Sequence, residues 1–215
     1  MFKKVSLFLI CIFAVSAAFA QGGTDMAGAA RAMLTSPSSM LQQGGLKGDL
    51  KLSGEHAKRV DSILKDYLKK TQTISKKMEG SGRDMSGASA AFAEMAAAQK
   101  EADEAIIAEL NDDQKTRLTQ LRWQCLGAKS LYEEDLQKAL GLSADQVAKL
   151  SEYRDGASSR MMEAMQHGGP SAIKGLNKKD ADYLKGLLTP EQQASYKTLL
   201  GPENKTASKM AGMGF

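Results

Sequence analysis

A five-residue phrase that recurs along the chain constrains its fold more than any other feature. Leu52-Ser53-Gly54-Glu55-His56, Leu110-Asn111-Asp112-Asp113-Gln114, Leu142-Ser143-Ala144-Asp145-Gln146 and Leu188-Thr189-Pro190-Glu191-Gln192 each set a leucine before Ser, Asn or Thr, with Gln or His three residues later. In such a phrase the second side chain accepts from the amide three residues on, and the glutamine reaches back to the capping residue's own amide, which is a capping box. Acidic residues fall in the first turn, where the helix dipole favours them, and Pro190 occupies the first helical position, where a missing N–H costs nothing. Leu142 and Val147 stand as a hydrophobic staple. The phrase is therefore a helix-start instruction. Its caps are Ser53, Asn111, Ser143 and Thr189, its box partners Gln114, Gln146 and Gln192, and His56 stands as an imperfect partner for Ser53. Each cap is worth about 1 kcal/mol, and none of them needs a ligand.

Between these starts the apolar positions step with helical period. Val60, Leu64, Tyr67, Ile74 and Met78 alternate steps of four and three with Thr71 between them, predicting a long amphipathic helix that stops at Gly80-Ser81-Gly82. Phe92, Met95, Gln99, Ala102, Ile106 and Leu110 predict a second, from about Ala88. The charges of these two segments oppose each other: residues 47–79 hold nine Lys or Arg against five Asp or Glu, residues 88–113 one against seven. The expectation is a long antiparallel helical hairpin over 53–110, its pairing chosen by flanking charge. A cluster of shorter helices is expected over 111–200, with breaks at Gly127, at Gly141 and at His167-Gly168-Gly169-Pro170. Few strand-forming clusters and an excess of Ala, Leu, Lys, Glu, Gln and Met make the fold class all-α.

The chain ends read differently. Lys3 and Lys4 precede an apolar run that closes in Ala18-Phe19-Ala20, the pattern of a secretory signal peptide over 1–20 and of a periplasmic or secreted protein. Removing these twenty residues leaves 195, with one cysteine, Cys125, so packing rather than a disulfide framework stabilises the fold. Cys125 lies seven residues after Leu118 on one helical stripe, as a buried thiol does, although a lone thiol also offers a bridge between chains. A flexible leader is expected over 21–51 and a disordered tail over 201–215. The net charge of +4 includes Lys3 and Lys4, so the remainder carries too little positive charge for nucleic acid. No later stretch is apolar enough for a membrane span.

No catalytic motif is legible: there is no nucleophile elbow, Gly-rich phosphate loop, HExxH or CxxC, and the expectation is a non-enzymatic protein without a cofactor. Met161, Met162, Met165 and His167 offer soft ligands suited to Cu(I), while the same spacing lets Met161 and Met165 fill a core. Trp123 lies off the Leu118–Cys125 stripe and is the candidate interface residue, offered to a neighbouring helix or to a partner.

The starts at Leu188–Gln192 and Leu142–Gln146, with the looser Leu110–Gln114, resemble those of the periplasmic LTxxQ-motif proteins of the Spy and CpxP type. That resemblance implies a small helical protein linked to envelope stress, with an ATP-independent chaperone role in some members. This chain is longer, carries more copies of the phrase and lacks His-rich metal segments. The expected function is a chaperone-like or protein-binding role in the cell envelope, with protein clients or an envelope partner. The alternatives are copper binding or sensing at Met161–His167 and a structural protein that self-associates, for instance as a homodimer.

Overall fold

The computed structural model describes residues 32–80 and 85–212, and every regular element among them is helical. The chain is all-α. The expected signal over 1–20 and the start of the leader lie outside the described residues. Two short helices, α1 (Pro37–Leu41) and α2 (Gly44–Lys47), lead through a 3-10 turn at Gly48–Leu50 into the long α3 (Gly54–Gly80) and α4 (Met85–Ala108). Next come α5 (Asp112–Leu126), a 3-10 segment (Gly127–Tyr132), α6 (Glu134–Ala139), α7 (Ala144–Asp155), α8 (Ala157–Gly186), α9 (Pro190–Leu199) and α10 (Lys205–Gly212).

Helix α3 packs along α4, and Arg59 meets Glu109, Lys70 meets Glu101 and Lys77 meets Glu94. Residue numbers rise along one helix as they fall along the other. These pairs are exposed and worth little individually, so the packing of Tyr67, Ile74, Ala91, Ala98 and Ala102 between the helices carries the stability.

The flexible leader is corrected over 32–51. Ser36 caps α1, its hydroxyl accepting from the Ser39 amide, and Met40, Leu41, Leu46 and Leu50 are buried to 2% exposure or less. Asp103 accepts from the Ser38 amide and Gln99 donates to Ser36, tying the segment to α4. Short helices interrupted by glycine destroy the regular 3.6-residue period, so the core residues here carry no helical pattern in sequence. The disordered tail is corrected as well. Asn204 accepts from the amides of Thr206 and Ala207 to start α10, and Ala207 is fully buried. Residues 213–215 lie outside the described residues.

The leader's apolar residues belong to a repeat. Leu41, Leu46, Leu50, Leu52 and Ser53 recur ninety positions later as Leu131, Leu136, Leu140, Leu142 and Ser143. The two sets match in burial at Leu41 and Leu131, Leu46 and Leu136, Leu50 and Leu140. The residue between the last two leucines of each set, Lys51 or Gly141, is left-handed, with φ of 50° and 59°. Val60 and Leu150 continue the match, as do Ile106 and Leu184, Leu110 and Leu188, and Leu118 and Tyr196 after the intervening helices, all buried. The chain is thus two modules of one plan, each with its own core.

Three of the phrases close capping boxes, at Asn111 with Gln114, Ser143 with Gln146 and Thr189 with Gln192. The glutamines then do a second thing. Gln146 Nε2 donates to Leu187 O, just before Leu188, while Gln192 Nε2 donates to Gly141 O, just before Leu142. The two amides also bond each other, at 2.7 and 3.1 Å. Each helix start is therefore clamped to the other. In the first module Gln114 Nε2 reaches Leu50 O at 3.2 Å. The return contact departs from the box expected at Ser53: Gly54 takes a φ of 52°, and no side-chain hydrogen bond of Ser53 occurs among the described residues. His56 Nδ1 turns instead to Glu109, the residue before Leu110, at 3.1 Å.

Helix α8 is continuous in backbone but not straight. Twenty residues of straight helix span about 30 Å, yet Arg160 Nε lies 3.4 Å from Asp180 Oδ1. A Cβ placed on Gly168 would sit 2.5 Å from Ala172 Cβ, against about 5–6 Å along a regular helix. The helix folds back there, so α7 with the first arm of α8 corresponds to α3, and the second arm to α4.

Replacing Gln192 by Ala should cost about 1–2 kcal/mol in urea unfolding, because one box and one clamp are lost together. The Gln146→Ala and Gln192→Ala double variant should then depart from additivity by about 0.5 kcal/mol or more. Additive costs would mean that the two caps act independently and that the clamp contributes nothing.

Candidate functional site

The ends of the two modules cross over. Trp123, on α5 of the first module, is 7% exposed within the second core, beside Leu131, Leu150 and Tyr196. Of the two readings of Trp123, a neighbouring helix rather than a partner is the one its burial fits. Its position off the α5 stripe serves the neighbouring module instead. Tyr196 donates to Gly127 O at 2.8 Å, and Gln124 donates to Leu200 O and Pro202 O. After α9 the chain returns to the first module, where α10 packs on α5 and Asn204 donates to Gly45 O. A Cβ on Gly45 would fall 2.2 Å from Thr206 Oγ1, so this close approach requires glycine.

Cys125 is 2% exposed, and its Sγ lies 3.7 Å from Met210 Sδ. Burial pushes the thiol from an ordinary 9.0 up to about 12. Such a group is neither a nucleophile nor accessible to a second chain.

The interior of the second module's helical pair is polar where the first is apolar. Tyr153 and Asp180 take the places of Ile63 and Ala102, and Tyr153 Oη donates to Asp180 at 2.7 Å. The Arg160 guanidinium lies 3.7 Å over the Tyr153 ring, and Tyr183 stacks on the same tyrosine with centroids 3.9 Å apart. Burial, then the bond to Asp180, pushes the Tyr153 hydroxyl up to about 12. Arg160 Nε, although within ion-pair distance of Asp180, is misaligned and makes no hydrogen bond, and Asn177 Oδ1 is likewise buried and unbonded. This cluster holds the fold-back of α8 together, but it is incompletely satisfied and correspondingly weak.

Beyond it, no described side chain from 157 to 179 is buried. Met162 is 63% and Met165 56% exposed, while Met161, Ala164, Ile173 and Leu176 are half-buried. Of the four sequence-level metal candidates, Met161, Met162 and Met165 thus share one side of the first arm. The His167 side chain lies outside the described residues.

A second apolar surface lies on the first module. An open groove of about 590 Å³ runs between α1–α2 and α3, with Leu41, Leu64 and Leu68 along its floor and Lys47, Lys65 and Lys69 on its rim. Asp61, bonded to Lys47, is the single carboxylate in its lining. Among the described residues, no group of three or more His, Cys, Asp and Glu side chains converges as a metal site, and no helix is long and apolar enough to cross a membrane.

Cys125 should resist thiol reagents at pH 8 in the folded protein and react at once in denaturant. The folded state keeps the thiol protonated while the unfolded chain releases its proton above pH 9. Stability should therefore fall between about pH 9 and 12, by up to about 1.4 kcal/mol per pH unit. The Cys125→Ala variant should show a shallower alkaline loss. Rapid labelling of the native protein would overturn the buried-thiol assignment.

No protein-family model, curated protein or solved structure matches the chain.

Proposed function

We propose that this is an exported, non-enzymatic protein of the cell envelope that binds apolar segments of other proteins in a chaperone-like way. One observation carries the reading: the first arm of α8 projects exposed Met162 and Met165 from a stretch with no buried described side chain, held at its base by a partly satisfied polar cluster. Unbranched thioether side chains adapt to irregular apolar surfaces, which suits weak contacts with varied clients. The signal-like residues 1–20 and the likeness to the LTxxQ-motif proteins agree with this role.

A second reading is Cu(I) binding, favoured by the spacing of Met161, Met162 and Met165, which fall within about 100° of one helix surface. Thioethers are soft ligands suited to that ion.

The test is light scattering of several reduced, aggregating substrates with equimolar protein, with and without Cu(I). The Met162→Ser and Met165→Ser double variant should suppress aggregation less while losing under about 0.5 kcal/mol of stability, because both residues are exposed. Undiminished suppression by that variant would remove the α8 arm from the account, and no suppression by the native protein would remove the chaperone reading. Suppression that requires Cu(I), or a Cu(I) affinity that falls in the variant, would move the metal reading to the front.

A further inference from the structure

The internal repeat supplies its own control for the groove on the first module. Positions ninety residues later carry Arg154 for Leu64, Asp155 for Lys65, Ser158 for Leu68 and Ser159 for Lys69. The second module folds with these polar residues, and Arg154 bonds Ser151 and pairs with Asp155 on the same helix. The module plan therefore does not itself demand an apolar ridge and a basic rim at these positions. Leu64 contributes to the first core, but Leu68 is 36% exposed, and Lys65 has no ion-pair partner among the described residues. The opposite wall is similarly open. Where the second module has Glu134 the first has Gly44, and a Cβ there would meet nothing within 4 Å.

From these features we infer that the groove is a docking site for an acidic amphipathic segment of a partner protein. The inference rests on the protein-binding reading above and names a second surface and its partner's chemistry. Leu68 stands exposed one turn from the buried Leu64, so the groove offers the segment's anchors one projecting leucine over an apolar floor. Of the rim lysines, Lys47 pairs with Asp61 and the exposed Lys69 with Asp66, which leaves Lys65 as the spare cation that favours Asp or Glu beside those anchors and sets the segment's register. From Asp61 to Gln72 the groove follows α3 for about three turns, the length of a short helix.

The test measures fluorescence anisotropy of two labelled peptides with the intact protein. Both carry the same leucine pattern, with Glu at the intervening positions of one and Lys at those of the other. The Glu peptide should bind, the Lys peptide should not, and added salt should weaken the complex. The Lys65→Asp and Leu68→Ser double variant, which installs the second module's residues, should weaken binding by about tenfold or more. Circular dichroism should show its helicity unchanged, and Lys149→Asp, on α7, should leave binding unaltered.

Equal binding of both peptides, indifference to the double variant, or no binding of the Glu peptide would overturn the inference. Preferential capture of anionic phosphatidylglycerol vesicles would also overturn it, in favour of a lipid surface. Running the aggregation assay on the same double variant separates the two proposals. Loss of peptide binding with intact suppression leaves the α8 arm as the client surface, whereas peptide binding by a protein that suppresses nothing removes the chaperone reading and leaves the groove.

Discussion

The structure depends on one side-chain amide used twice. A glutamine three residues inside a helix closes the cap of its own helix and has its N–H₂ left over. At Gln146 and Gln192 that spare donor goes to the backbone just ahead of the other helix, so two helix starts distant in sequence become one joint. Capping alone explains a hydroxyl followed by a glutamine. The clamp explains why the phrases work as pairs, and it fixes the base from which each pair of long helices projects. The first module keeps the arrangement with one substitution of chemistry, His56 and Arg59 on Glu109 replacing one amide contact. The Arg59 bond, chief among the causes, holds that carboxyl below its usual range.

Once the bases are fixed, what lies between the arms decides how far each module's core extends. In the first, Ile63 packs against a cluster of Ala, Tyr and Ile that continues up the pair, so the long helices are held along their length. In the second, a Tyr–Arg–Asp cluster stops the core at the base and leaves the arm beyond it lightly held. One plan thus yields a firm element that carries a groove and a loose element that carries methionines. The crossover of α5 into the second core, and of α10 onto the first, prevents the modules from separating.

Much of this was legible because local rules dominate helix starts. The all-α class, the boxes at Asn111, Ser143 and Thr189 and the buried Cys125 follow from spacing and from residue chemistry within one or two turns. The helix break expected at His167-Gly168-Gly169-Pro170 is corrected to a fold-back, because the backbone bends there without leaving the helix. Trp123 was legible only as serving a neighbouring helix or a partner, because a residue off its own helix's stripe belongs to another surface and only the path of the chain reveals which. Leu41, Leu46 and Leu50 were missed because their steps of five and four match no single helix. The ninety-residue repeat was the one available signal, and it would have exposed them.

The sequence by itself determined where helices start and which faces are apolar, since each is set by neighbours a few residues apart, and two cysteines in the whole chain are too few for a disulfide framework. Tertiary structure alone decided that the phrases pair two by two, that the segments at 32–51 and 201–212 complete the core, and that leucine and lysine side chains from separate elements line one groove. The first two outcomes depend on contacts between residues 41 to 159 positions apart, such as Gln146 with Leu187 and Gly45 with Asn204, and the third on the packing of α1–α2 against α3, none of which a local pattern encodes.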